Sequence, residues 1–221
     1  MINPLTRLTI KGKMMLLIIL PILALVYFTG TELKHHNYEF ENKLEKIRQL
    51  VSLSESISRL VHETQKERGA SAGFTGSRGK KFATRLPEQR RLTDQRLKEY
   101  KATLASIDLS IFPGELKHKI KELDTYIRRL PEIRQRVSAL QLPLKKVVAF
   151  YTEMNDHMLD IVATSSKLSP AEKITIDLVA YTSFLKSKER AGIERAVLSA
   201  TFGADKFAPG MFEKLITLIA E

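Results

Sequence analysis

The hydrophobic and polar positions divide the chain into one uninterrupted apolar stretch and a series of amphipathic segments. The apolar stretch is MMLLIILPILALVYF, residues 14–28, which contains no charged residue. From residue 32 onward, apolar side chains recur three or four positions apart, the spacing of an α-helix. The first such series is Leu44, Ile47, Leu50, Leu53, Ile57, Leu60 and Val61. No segment alternates as a β-strand does, so the pattern predicts an all-α fold.

Turn signals separate the predicted helices. SRGKK at 77–81 ends the first helix, predicted over 32–75, and IDLSIFPG at 107–114 ends the second near residue 106. Further helices are predicted over 115–140, where Pro131 either kinks or splits the helix, and over 144–167. SPAE at 169–172 has the residues of a capping box with proline at the first helical position. It opens a helix to about residue 202, and FAPG at 207–210 precedes one more.

The apolar stretch predicts a membrane-spanning helix. With Thr29 and Gly30 it reaches about 17 residues, the short limit of a span, and Arg7, Lys11 and Lys13 precede it. Cations on one flank predict a cytoplasmic segment 1–13, a transmembrane helix 14–30 and a helical domain 32–221 outside the cytoplasm, which in a bacterium is the periplasm. A cleaved signal peptide and a soluble core helix remain alternatives.

Composition restricts the function. The formal net charge of +11 calls for an anionic partner to be considered. Nucleic acid is not favoured, because Arg and Lys alternate with Glu and Asp along the helices and the aromatic residues are scattered. The chain has no cysteine, its histidines share no metal-ligand spacing, and GASAG at 69–73 follows no strand. We therefore predict no enzyme activity, no catalytic residue, no metal and no cofactor.

Two related segments carry the candidate chemistry. They are KERGASAGF at 66–74 and KERAGIERA at 188–196. On the first, Arg68 continues the stripe of Ile57 and Val61. On the second, the steps from Ile174 through Leu178, Tyr181 and Leu185 continue to Lys188, Gly192 and Arg195. The pattern thus predicts one inward arginine on each helix, surrounded by Gly, Ala and Ser.

A buried guanidinium needs an anion, because an unpaired charge in a dry interface is costly. The sequence leaves two anions open. In one interpretation, Glu67 and Glu189 form interhelical ion pairs with Arg68 and Arg195. In the other, the two arginines bind one small planar oxyanion between them, since guanidinium groups suit that geometry.

The two segments resemble the signature segments of the nitrate- and nitrite-sensing (NIT) domain of bacterial receptors. The resemblance covers roughly residues 50–221. It implies an all-helical fold of two packed antiparallel bundles of four-helix type. It also implies that Arg68 and Arg195 bind nitrate or nitrite, and Gly69, Ser71, Lys188 and Gly192 are the candidate supporting residues.

The resemblance further implies a membrane receptor, with a methyl-accepting chemotaxis protein as the favoured type. Binding would shift a helix and signal through a cytoplasmic module beyond Glu221, after a second membrane span. Receptors of this layout signal as parallel homodimers, so the resemblance implies the same assembly here. The candidate dimer seam is formed by Leu44, Ile47, Leu50 and Ile57. The alternative function is a periplasmic scaffold or partner-binding bundle without a ligand.

Overall fold

The computed structural model describes residues 9–169 and 172–220, and its regular structure there is helical. The helices are α1 (Ile10–Gly76), α2 (Arg85–Ser106), α3 (Gly114–Ser138), α4 (Leu144–Lys167), α5 (Glu172–Ala204) and α6 (Met211–Ala220), with a short 3₁₀ turn at Leu109–Ile111. The all-α prediction is confirmed, and the helices end where the turn signals placed their ends. Pro131 lies inside α3, which continues through it. Of the SPAE signal, Pro170 and Ala171 lie outside the described residues.

The chain forms two compact units, Met1–Glu45 and Lys46–Glu221. The described part of the first unit is the beginning of α1, and its side chains are exposed almost throughout. It contains an 18-residue window with a mean hydropathy of 2.2, none of it buried. Length and composition suit a membrane span, and a signal sequence has the same properties. The span predicted over 14–30 lies within this segment, and its place in a membrane stays a prediction.

The second unit is built on a core shared by the later part of α1 with α2, α3 and α4. The largest buried apolar side chains of this core are Leu50, Leu53, Ile57, Leu60, Leu116, Leu123, Leu130, Tyr151, Met154, Met158 and Leu159. Leu50 and Ile57 were candidates for a dimer seam, and the structure buries both of them inside this core. They are therefore not available on the surface to contact a second chain.

Helix α5 packs against α1 and α4 through small side chains. Ala72, Ala196 and Ala200 form a buried cluster with Val148 of α4. A Cβ at Gly76 would lie 2.7 Å from the carbonyl oxygen of Ala200. The missing side chains let the backbones of α1 and α5 approach closely, which places the two candidate segments side by side.

We expect Gly76→Ala to lower the free energy of unfolding by about 1–3 kcal/mol, because the added methyl group overlaps a backbone that cannot move aside. The measurement is urea unfolding followed by circular dichroism. Gly69→Ala, on the same helix, is the matched control, since a Cβ there meets nothing within 4 Å. It should leave stability unchanged or raise it by up to about 1 kcal/mol. Equal losses in the two variants would contradict the close approach of α1 and α5.

Candidate functional site

The structure brings the two candidate segments together but treats their arginines differently. Arg68 on α1 is completely buried, with 0% of its surface exposed, whereas Arg195 on α5 is exposed. The supporting candidates lie in the same interface. Gly192 and Ser71 are buried, and Gly69 and Lys188 are half-buried. Only one of the two arginines is therefore inward, and the second faces a groove.

Arg68 forms a buried ion pair with Glu189 of α5. Its Nη1 donates to one carboxylate oxygen of Glu189, and its Nη2 donates to the other at 3.3 Å. Nη1 also donates to Thr152 Oγ1 at 2.9 Å. The Nε of Arg68 has no hydrogen-bond partner among the described residues. The ion-pair interpretation is thus correct for Arg68, and its partner is Glu189.

Glu189 is held by two further donors. Gln65 Nε2 of α1 donates to it at 2.6 Å. Asn155 Nδ2 of α4 contacts both carboxylate oxygens, at 3.3 and 3.4 Å. Gly192 makes room for the pair, because a Cβ at this position would lie 2.8 Å from Arg68 Nη2. The carboxylate of the pair is therefore well satisfied by hydrogen bonds.

The inward face of α5 differs from the predicted one. The buried residues follow a stripe of Thr182, Leu185, Glu189, Gly192, Ile193, Ala196, Val197 and Ala200. Lys188 and Arg195 lie beside this stripe, and Tyr181 is exposed. The prediction failed because it continued the seam through Tyr181, whereas a glutamate paired with Arg68 occupies the core position. A sequence pattern gives no sign that a glutamate is buried.

Glu67, the neighbour of Arg68, belongs to a separate buried network. Arg134 of α3 donates to both of its oxygens, from Nε at 2.7 Å and from Nη2 at 2.8 Å. Tyr151 of α4 donates its hydroxyl at 2.7 Å. Burial, followed by the Glu67 charge, raises the pKa of Tyr151 well above its usual value, so the phenol keeps its proton. Glu67 therefore pairs with α3 and α4, not with Arg68 or Arg195 as the sequence suggested.

A cavity of about 160 Å³ lies between α1 and α5, and two of its lining residues also contact the Arg68–Glu189 pair. Gln65 and Gly192 line it and also contact that pair. This volume is well below the 300–1,000 Å³ of most small-molecule pockets, so it suits a compact ligand. The remaining lining residues are Lys66, Gly69, Ala70, Phe82, Arg85, Arg195 and Ser199.

The lining of the cavity is positively charged. It contains Lys66, Arg85 and Arg195, and none of the described lining residues is acidic. Within the part of the chain that the structure describes, Arg85 and Arg195 form no ion pair, while Lys66 contacts Glu63 at 2.8 Å. The cavity thus carries cations that the protein does not fully neutralise.

The surroundings of Arg195 show the same excess of positive charge. Lys188 Nζ lies 3.1 Å from the Nδ1 of His62. Burial and then Lys188 lower the pKa of His62. Burial and then Arg195 lower the pKa of Lys188. Groups that disfavour each other's positive form create a local excess of positive charge, which a bound anion would stabilise. Among residues 9–169 and 172–220, no group of histidine and acidic side chains could hold a metal.

Comparison with known proteins identifies the family. The chain belongs to the family described as "Nitrate and nitrite sensing", whose profile matches residues 59–221. That range contains both candidate segments and the cavity between α1 and α5. The recognition made from the two short segments is confirmed.

Two relatives agree with this assignment. The nitrate regulatory protein of Klebsiella oxytoca is 27% identical over 179 residues, which cover 81% of this chain and 45% of that protein. The structure of the NasR transcription antiterminator superposes with a TM-score of 0.75 at 26% identity, covering 86% of this chain and 52% of that one. The chain therefore spans about half the length of the relatives it matches.

Two residues of the site, Lys66 and Arg85, were not predicted from the sequence. Lys66 precedes Glu67 and Arg68 in the first segment, and its position one helical turn before Ala70 could have placed it on the cavity side. Arg85 begins α2, so only the tertiary packing brings it to the cavity. Glu189 was considered only as a partner of an arginine, and its position at the centre of the interface was not predicted.

We expect Arg68→Ala to lower the free energy of unfolding by about 3–5 kcal/mol without ligand, because the substitution leaves the buried Glu189 carboxylate without its cation. Arg195→Ala is the matched control, since Arg195 is exposed and forms no ion pair with the described residues. Its effect should stay within about 0.5 kcal/mol. Urea unfolding of both variants checks the difference, and similar losses would contradict the ion-pair geometry.

Proposed function

We propose that this chain is the input part of a bacterial membrane receptor that binds nitrate or nitrite in the cavity between α1 and α5. The observation that carries the proposal is the cavity itself, which has three cationic side chains and no acidic one among its described lining residues. Its small volume favours a compact anion. Membership of the nitrate- and nitrite-sensing family supports this choice of ligand.

The chemistry of the lining suits a planar oxyanion. Arg195 and Arg85 each carry a guanidinium group, whose fork matches two oxygens of a trigonal anion. Lys66 adds a third cation on the α1 side. Gly69 leaves open space, because nothing lies within 4 Å of a Cβ at its position. The ligand would therefore bind to side chains of both helices and would contact Gln65 and Gly192. We propose binding alone, with no chemical step.

Arg68 does not line the cavity, but it lies next to Gly192, which does. Its Nη2 lies against Gly192, and its Nε has no partner among the described residues. A ligand that reached Arg68 would connect the buried pair to the cationic lining. Because α1 and α5 both contribute side chains that bind the ligand, binding would change how these two helices pack. Such a change is the helix shift that a sensor needs.

We also propose a membrane topology and an output module for this receptor. The apolar beginning of α1 and the cations before it support a membrane anchor with residues 32–221 in the periplasm. We further propose that the chain forms a parallel homodimer and signals through a chemotactic output module. The buried Arg68–Glu189 pair favours a second candidate function, a structural or partner-binding bundle that has no small ligand.

We expect Arg195→Ala to weaken nitrate or nitrite binding roughly 10- to 150-fold, because one charge-assisted hydrogen bond contributes about 1.5–3 kcal/mol. Arg195→Lys should also bind more weakly, since a point charge lacks the planar fork. Isothermal titration calorimetry of the purified chain in detergent measures both. The matched control is Arg190→Ala on the same helix, which lines a different cavity and should keep its affinity. A parent protein that binds neither anion would support the scaffold function instead.

We expect residue 141 to lie outside the cytoplasm. The chain has no cysteine, so single substitutions can be labelled selectively. Gln141→Cys, in the exposed connection between α3 and α4, should react with a membrane-impermeant maleimide in intact cells. Lys13→Cys, in the segment predicted to be cytoplasmic, should react only after the cells are opened. The reverse labelling pattern would overturn the proposed orientation.

A further inference from the structure

Glu189 occupies the position that a second anion would need in order to use Arg68. Its two oxygens accept from Nη1 and Nη2 of that guanidinium, so the pair is electrically neutral. A neutral pair offers an approaching nitrate little Coulombic attraction. The buried arginine can therefore strengthen ligand binding only when the carboxylate gives it up.

Glu189 also has hydrogen-bond donors other than Arg68. Gln65 and Asn155 already donate to Glu189, and their side chains contact it independently of Arg68. The cost of separating the pair is reduced by these partners.

From this arrangement we propose that Glu189 is an internal competitor for Arg68, which the oxyanion displaces when it binds. This proposal rests on the function proposed above and adds its regulation. Without ligand, the Arg68–Glu189 pair ties α1 to α5. With ligand, Arg68 contacts the oxyanion across Gly192, and Glu189 keeps its hydrogen bonds from Gln65 and Asn155. The exchange would convert an ion pair between helices into a ligand contact.

The test is the nitrate and nitrite affinity of Glu189→Gln, measured by calorimetry on the purified chain in detergent. The amide keeps the size of the side chain but removes the competing charge. We expect binding to become tighter by roughly 10- to 150-fold, the reverse of losing one charge-assisted hydrogen bond. Glu153→Gln is the matched control. Glu153 is exposed on α4, next to Thr152, and its carboxylate accepts a hydrogen bond from Tyr126 at 3.2 Å. Its substitution should leave affinity unchanged.

A double substitution separates competition from simple repulsion between charges. In Arg68→Ala/Glu189→Gln, the gain in affinity relative to Arg68→Ala alone should disappear, because there is no guanidinium left to compete for. A gain that persists without Arg68 would overturn the proposal. If Glu189→Gln melts too early to titrate, Glu189→Asp retains the charge but retracts it by one methylene, and it should tighten binding by a smaller factor.

The outcomes distinguish the two proposals. One outcome is a parent protein that binds nitrate or nitrite and loses this binding with Arg195→Ala. In that case, unchanged or weaker binding by Glu189→Gln and Glu189→Asp would overturn the competitor role and leave the proposed function intact. A parent protein that binds neither anion would overturn both.

Discussion

The buried ion pair between Arg68 and Glu189 is the interaction on which the α1–α5 interface depends. Removing two charges from water is expensive, and an interface accepts them only when hydrogen bonds satisfy both partners. Thr152, Gln65 and Asn155 provide these bonds. The glycine at 192 provides the space, since any side chain there would collide with the guanidinium. The pair thus requires particular residues on α1, α4 and α5: hydrogen-bonding side chains on α1 and α4, and a glycine on α5.

The distribution of positive charge separates structure from binding. Arg68 and Arg134 are buried and neutralised by glutamates, which makes them structural cations in the free protein. Arg195 and Arg85 lie at the cavity and have no such partner among the described residues. A protein has little structural reason to collect unneutralised cations around a small cavity, because they repel one another. An anion from outside would relieve that repulsion, which is why the cavity, rather than either arginine alone, indicates the ligand.

Much of the fold could be predicted from the sequence, and less of the site. The helix ends followed from proline, glycine and polar breaks, because these residues act locally. The burial of Leu50 and Ile57 in the core, instead of a dimer seam, depended on which helices pack against α1, and an apolar stripe does not identify its partner. The face of α5 was misjudged because Ala196 and Ala200 are compatible with more than one inward direction. Gly192, in contrast, lies on the inward face as the seam predicted, and there it accommodates Arg68.

Glu67 and Arg68 are consecutive residues of α1, so their side chains project about 100° apart around the helix. Glu67 is held by Arg134 and Tyr151 on one side, and Arg68 is held by Glu189 on the other. Turning this part of α1 about its own axis would strain both attachments at once, and each is a buried charge. The two attachments therefore resist torque. Movement parallel to the axis would also break the Arg68–Glu189 pair, so α1 is held in register against α5 for as long as that pair is intact.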